Sequence, residues 1–434
     1  MKAGNDFLQL LAAQPAGGVD KARHLRVLLY GSLSETGRGH GTHRAVLAGL
    51  LGHTPETCSA QTLDTLDMRP KARHTLSLGP AKISMTPADI VFMTESTARR
   101  RGPAPKFPYS NTLVIQLLDA KGGTLCKREY YSVGGGFIEW KGFQPEHRGR
   151  PCHPYSNMLQ LGQLLQRRRL PLHELMLANE MAITGLAADR IAQRLDLVLD
   201  AMTAAVDRGL KNEGYLPGPI HLHRKGPLMH QRSRRMPRNP SRSLVELCAY
   251  AFAAAEENAA GHPVVTAPTC GSAGVLPAVL QVLLHHEHIR RNLLRQALWA
   301  AAAVGFICKH NASISGAEVG CQGEIGVASS MAAAFIATAH GHPFAIMENA
   351  AETALEHHLG MTCDPVKGYV QIPCIERNAM GAVKAFTAYL IAREGIPEWH
   401  VVGLDEAVRA MAITGRDMST DYKETARSGL ARCC

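Results

Sequence analysis

Between Asn311 and Ser330 the chain reads NASISGAEVGCQGEIGVASS, with glycines at 316, 320, 323 and 326 recurring at steps of four, three and three. On a helix those steps put all four on one face, which is then almost bare of side chains. Each glycine costs a helix interior about 1 kcal/mol relative to alanine, so a run of them implies close approach of another backbone or of a ligand. Cys321 sits in the middle, flanked by Glu318 and Glu324. Taken by itself, the stretch describes a tightly packed buried helix with an inert thiol.

The rest of the chain has the apolar material to fill such a face. Of 434 residues, 46% are hydrophobic and 19% charged, enough for two or three domains with sizeable cores. The longest apolar candidate, Ala297 to Cys308, falls short of the roughly 18 residues a membrane span needs, so no membrane partner is expected. No secretory signal pattern opens the sequence, and eleven cysteines in such a chain point to a reducing, cytoplasmic setting where thiols serve metals or catalysis. The net charge of +10 (47 basic minus 37 acidic) gathers in short clusters, Arg99 to Arg101, Arg167 to Arg169 and His221 to Arg242. No nucleic-acid motif accompanies them, so solvated loops and helix ends are expected and no nucleic-acid partner.

In chain order, the first 150 residues alternate strand-like and helix-like signals. Leu25 to Tyr30, Thr112 to Asp119 and Cys126 to Val133 read as strands, the last running into the triple glycine Gly134 to Gly136. Gly37, Gly39, His40 and Gly41 form a loop ahead of a helix-like Ala45 to Leu51, where backbone N–H groups can meet a carboxylate or phosphate. Phe143 to Pro154, rich in Pro, Arg, His and Gly, reads as a linker. Beyond it Asn157 to Arg168, Ala187 to Leu210, Leu244 to Ala260 and Arg291 to Cys308 are helical in pattern. Val264 to Pro277 reads as a strand-like run entering a Thr-Cys-Gly-Ser loop and then a helix, with Thr266, Thr269 and Ser272 as candidate caps. The fold class expected is α+β, an N-terminal region (1–150) with an antiparallel or mixed sheet, then a larger, mainly helical one (151–434).

Two further cysteines stand in apparent turns, Cys363 in GMTCDPVKG and Cys374 in VQIPCIERNAMGAVKA. No Cys-x-x-Cys pair occurs, which argues against a zinc finger. Three thiolates from separate loops would leave a four-coordinate or four-iron site one ligand short, and an open position is where a substrate binds.

The blocks NASISGAEVGCQGEIGVASSMAAA, GMTCDPVKGYVQIPCIERNAMGAVKA, NEGYLPGP, VVTAPT, YGSLSETGRGHGT and YYSVGGGFI together resemble the bacterial iron-sulfur L-serine dehydratases, or L-serine ammonia-lyases, in the same order along nearly the whole chain. The resemblance implies a homodimeric lyase that converts L-serine to aminoacrylate and then to pyruvate and ammonia, with no pyridoxal phosphate. It implies a 4Fe-4S cluster held by Cys321, Cys363 and Cys374, with Cys434 (or its neighbour Cys433) as a resting-state cap. It further implies His40 as the base, with Gly39, Thr42, Ser132, Gly134, Thr266 and Thr269 lining the substrate pocket. With an ordinary pKa of about 6.5, a histidine held neutral suits that task. The family pattern places a Ser-Ser-His-Thr segment ahead of Met1-Lys-Ala-Gly4, so the substrate segment reads as truncated here. His43 stands where the pattern has aspartate and Cys270 where it has asparagine, and Pro108 to Asn111 lacks the usual histidine. The alternative is a cluster-binding homologue with impaired catalysis and a binding or regulatory role.

Overall fold

The computed structural model describes residues 1–13, 19–66, 69, 71–78, 81–94, 97, 105–144 and 148–434. Strand β1 (Ala22–Leu29) shows why the first region forms a half-buried sheet: Leu25, Val27 and Leu29 alternate with the exposed Arg26 and the half-buried Leu28. A hairpin of β2 (His74–Leu78) and β3 (Ala81–Met85) is a second sheet that packs on β1 and shares its core. That sheet adds β4 (Ile90–Phe92), β5 (Thr112–Asp119), β6 (Thr124–Ser132) and β7 (Ile138–Trp140) in the order β4-β1-β5-β6-β7. Only β1 and β4 run parallel, so the sheet is mixed, as expected. Helices Lys2–Ala12 and Thr42–Leu50 cross closely because Gly4 faces the Val46 carbonyl and Gly49 faces Met1. Phe7, Leu47, Ile115, Leu117 and Tyr130 fill the core with them.

The second region is helical and larger. Its centre is the helix Val327–Ala339, buried on nearly every side. Around it pack Arg291–Asn311, Phe344–Glu356, Cys374–Glu394 and Val275–His285. Alanines at 328, 332, 333, 334 and 337 keep the central helix thin enough to accept neighbours on all faces. Helices Met158–Arg168, Ala188–Gly209 and Pro240–Ala259 fall within a few residues of expectation, and the side chains of Asn157 and Asn239 cap the first and last of these. None of the described helices is long and apolar enough to cross a membrane.

Two local expectations are corrected. The four glycines do not line one helix: Gly316–Val319 is a short turn, Gly320 breaks it at φ +74°, and Gln322–Gly326 is a π-turn leading into Val327–Ala339. Each glycine still does what its spacing implied, since a Cβ would strike Glu324 at 316, the Met361 carbonyl at 320, Val319 at 323 and His358 at 326. The run entering the Thr-Cys-Gly-Ser loop from Val264 is not a strand: the chain is irregular to Gly274, after which the expected helix starts at Val275 with Pro277 in its first turn. The run pairs with no described strand, and its Pro268 carbonyl meets the Gly135 turn of the sheet region.

Candidate active site

The three cysteines come from three segments sewn together by backbone and amide contacts. Cys321 opens the π-turn, a local widening that often marks functional sites. The next residue, Gln322, donates its N–H to the Met361 carbonyl (3.2 Å), and its side-chain oxygen accepts the Gly360 N–H (3.0 Å). Cys363 is thereby held beside it, while Cys374 starts the helix Cys374–Glu394. Asn378 braces that start: its amide donates to the carbonyls of Cys374 (2.9 Å) and Gly271 (2.8 Å), and its oxygen accepts the Gly274 N–H (2.8 Å).

All three thiols are buried and outside any disulfide. Cys363 shares a hydrogen bond with Cys321, which lowers the Cys321 thiol and, together with burial, holds Cys363 well above the ordinary range. Burial pushes Cys374 up. The charge of Arg377 acts on all three, and its guanidinium is fixed by bonds to the Thr362 carbonyl (2.6 Å) and the Asp364 carboxylate (3.3 Å). No described group of three or more His, Cys, Asp or Glu side chains closes on a single-ion position. A multi-iron cluster spreads its thiolates over different irons and needs no such convergence.

Acid–base groups stand next to the thiols. Glu324 accepts from the Thr269 hydroxyl (2.7 Å) and lies 3.7 Å from the Cys363 sulfur. Burial, reinforced by the Glu424 charge, raises its carboxyl to about 7. Glycines 271 and 316 leave room for it, because a Cβ at either would press on its carboxylate. From the sheet side comes His40, on the turn after Ser32–Glu35, its N–H bonded to the Thr36 carbonyl (3.1 Å). Its Nε2 lies 3.3 Å from Glu424 Oε1. Burial opposes the charged imidazole, but the Glu424 bond and charge outweigh it and raise His40.

The other expected pocket residues are distributed unevenly. Gly39 is buried against Gly368 and Tyr369 of the helical region, so the His40 turn is pressed onto the loop between Cys363 and Cys374. Gly134 packs on Ile314 and Ser315, at the edge of the Cys321 stretch. Ser132 ends β6 beside Asn111, whose Oδ1 is buried without a partner, as is Ser34 Oγ. Unsatisfied buried atoms of this kind are what a polar substrate would pair. Thr42 begins the helix after His40 and is half-buried. Thr266 is exposed and joins none of the described side-chain hydrogen bonds, unlike Thr269. Cys433 and Cys434 are exposed at the end of a short helix whose first N–H bonds to Asp364, the residue after Cys363 (2.8 Å). Sequence reasoning missed Arg377 and Glu424 altogether and gave Glu324 no role. Arg377 at least carries a signal, one helical turn after Cys374. A separate cavity of about 300 Å3 between Tyr155, Met176, Trp299 and Phe306 contains none of these groups.

A sheet region brings an imidazole, and a helical region brings carboxyls and thiols, to one junction, a set of groups suited to acid–base chemistry. Comparison with known proteins is specific. Residues 1–142 match the serine dehydratase beta chain and residues 167–431 the serine dehydratase alpha chain. The chain is 41% identical to an L-serine dehydratase of Streptomyces coelicolor over 99% of its own length and 94% of that protein's. It is 39% identical to L-serine dehydratase TdcG of Escherichia coli (99% and 94% covered) and 35% to an L-serine dehydratase of Helicobacter pylori (100% and 94%). The chain belongs to the serine dehydratase family.

Proposed function

We propose that the chain is an iron-sulfur L-serine ammonia-lyase in which Cys321, Cys363 and Cys374 hold a 4Fe-4S cluster and His40 removes the α-proton of L-serine. The observation that carries the reading is the meeting of three buried, disulfide-free thiols within the field of one fixed guanidinium, Arg377, beside the half-buried Glu324. The donor set fits such a group. Thiols this buried are costly to ionise without a cation, Arg377 supplies only one positive charge, and the bare Gly316 lies beside the Cys363 sulfur. When bound, a cluster held by three cysteines offers one iron with an open position, a Lewis acid for substrate oxygens.

The chain's own residues supply the rest. The sheet-side turn presents the imidazole of His40, which takes the Cα proton as the base. Glu324, with its carboxyl near about 7, holds a proton for part of the time at neutral pH and sits where it can pass it to the departing hydroxyl. Loss of water leaves aminoacrylate, which tautomerises to the imine and hydrolyses to pyruvate and ammonia. Ser132, Gly134 and Thr269 form the surrounding wall, and burial on the helical side keeps bulk water from the thiols. Cys434 is the proposed resting-state cap, carried by the tail that docks on Asp364. The linker from Phe143 to Pro154 divides the two functional regions, the proposed assembly is a homodimer, and the proposed setting is the cytoplasm.

Anaerobic purification, absorption spectra and a pyruvate assay with L-serine test this. A broad, oxygen-sensitive band at about 400 nm is expected with pyruvate formation, and Cys363→Ser should lose both. A band that persists in that variant removes Cys363 from the ligand set. Clustered protein that forms no pyruvate points instead to the non-catalytic homologue.

A further inference from the structure

We infer that Glu424 is a positioning residue that fixes which nitrogen of His40 faces the substrate. The inference rests on the proposed reaction with His40 as base. Glu424 Oε1 lies 3.3 Å from His40 Nε2, and the two side chains are only 15% and 25% exposed. An ionised carboxylate can only accept, so this contact places the imidazole proton on Nε2 and leaves Nδ1 with the lone pair. Among the described residues Glu424 is the only side-chain partner of His40, so no hydrogen bond occupies Nδ1. The basic atom is therefore Nδ1, and the tautomer is chosen by a residue from the far end of the chain.

The backbone around Glu424 is built to hold that carboxylate in place. Glu424 has φ +55°, a left-handed conformation uncommon for a residue with a side chain. Strain of this kind persists where surrounding contacts over-determine the position. Here the Glu424 N–H donates to the Cys363 carbonyl (2.8 Å), the Cys363 N–H donates to the Tyr422 carbonyl (2.7 Å), and Lys423 bridges to Cys363. Ser419 caps the turn before it, accepting the Asp421 N–H, and the Thr425 hydroxyl bonds back to the Asp421 carbonyl. The same short segment thus grips a thiol-bearing loop through its backbone and the imidazole through its side chain. His40 belongs to the sheet side, so without Glu424 its ring orientation would rest on its own turn alone.

The test is a double-mutant cycle of Glu424→Ala and His40→Asn, with Glu424→Gln as the milder variant that keeps an accepting oxygen. The kcat and KM for L-serine and the cluster absorption are measured on anaerobically purified protein. Glu424→Ala is expected to lower kcat about 10- to 100-fold with KM within about twofold and the cluster absorption unchanged, and Glu424→Gln to lose less. In the His40→Asn background, Glu424→Ala should change kcat by less than about twofold. An equal loss in both backgrounds, or a loss that tracks cluster content, overturns the inference. A second arm needs no turnover: modification of His40 by diethyl pyrocarbonate, followed by peptide mass spectrometry, should run at least about threefold faster in Glu424→Ala. An unchanged rate overturns the contact. If clustered wild-type protein forms no pyruvate while His40 still labels faster in the variant, the proposed reaction fails and the positioning contact stands.

Discussion

At the scale of the residue, the proposed reaction needs His40 in its base form and Glu324 in its acid form, and a pH prediction follows. Burial would lower His40, but Glu424 raises it above its ordinary 6.5, with the Glu324 charge acting in the same direction. Its base form therefore accumulates as pH rises through that raised value, and kcat/KM should climb there. Glu324 is raised to about 7 by burial and Glu424, so the acid form needed for the leaving hydroxyl is lost above about 7. The expected profile is a bell whose falling limb lies at about 7 and whose rising limb follows the raised His40. Glu324→Gln should remove the falling limb, and a profile unchanged in that variant would reject Glu324 as the acid. The cysteines and His40 were legible because each lies in a long, distinctive block of residues. Glu424 was not, since a glutamate near a chain end carries no local pattern. Only folding brings it to a histidine in the first tenth of the sequence.

At the scale of the element, the helix Pro240–Ala259 shows how the helical region fastens its own periphery. Glu257 on that helix is fully buried and receives Arg208 (3.2 Å), Arg224 (3.0 Å), Asn212 (2.8 Å) and His262 (2.9 Å), each from outside the helix. Burial would raise its carboxyl, yet the His262 and Asn212 bonds with the nearby charges outweigh it and hold it at about 2. Glu257→Ala strands the buried Arg224, leaves Arg208 only the Pro263 carbonyl, and should cost about 3–5 kcal/mol in chemical denaturation. The sign of the pH effect follows from the depressed value. The stabilisation is complete above the ordinary 4.5 and is lost as pH falls through about 2, so in Glu257→Gln the acid limb of stability should flatten. Helices of this kind were readable from their apolar period and asparagine caps. The Cys321 stretch was misread as one helix because glycine spacing records what each position must clear, not the turn at Gly320 that breaks the run.

At the scale of the molecule, the division into a sheet region and a helical region was legible from the change of pattern across the linker, whereas their apposition was not. Side-chain pairs such as His40 with Glu424 and His262 with Asp64 cross the junction, but its tightest contacts are made at glycines, which leave no other residue signature. Gly368 presses on the Glu35 carbonyl, Gly135 on Ile314 and the Pro268 carbonyl, and Gly39 on Gly368 and Tyr369. Gly39 gives the sharpest test, because a Cβ there would come within 2.4 Å of the Gly368 oxygen and 2.5 Å of the Tyr369 Cα, neither of which can rotate away. Gly39→Ala must lift the His40 turn off the helical region. The three thiols and Arg377 all belong to the helical side and are braced there by Gln322 and Asn378. Cluster absorption should therefore survive the substitution while pyruvate formation falls by at least about tenfold, since a displacement of about 1 Å between base and substrate is enough for such a loss. If absorption and turnover fell together, the sheet region would be supporting the thiol loops themselves. If neither fell, the junction would be too compliant to set the position of His40.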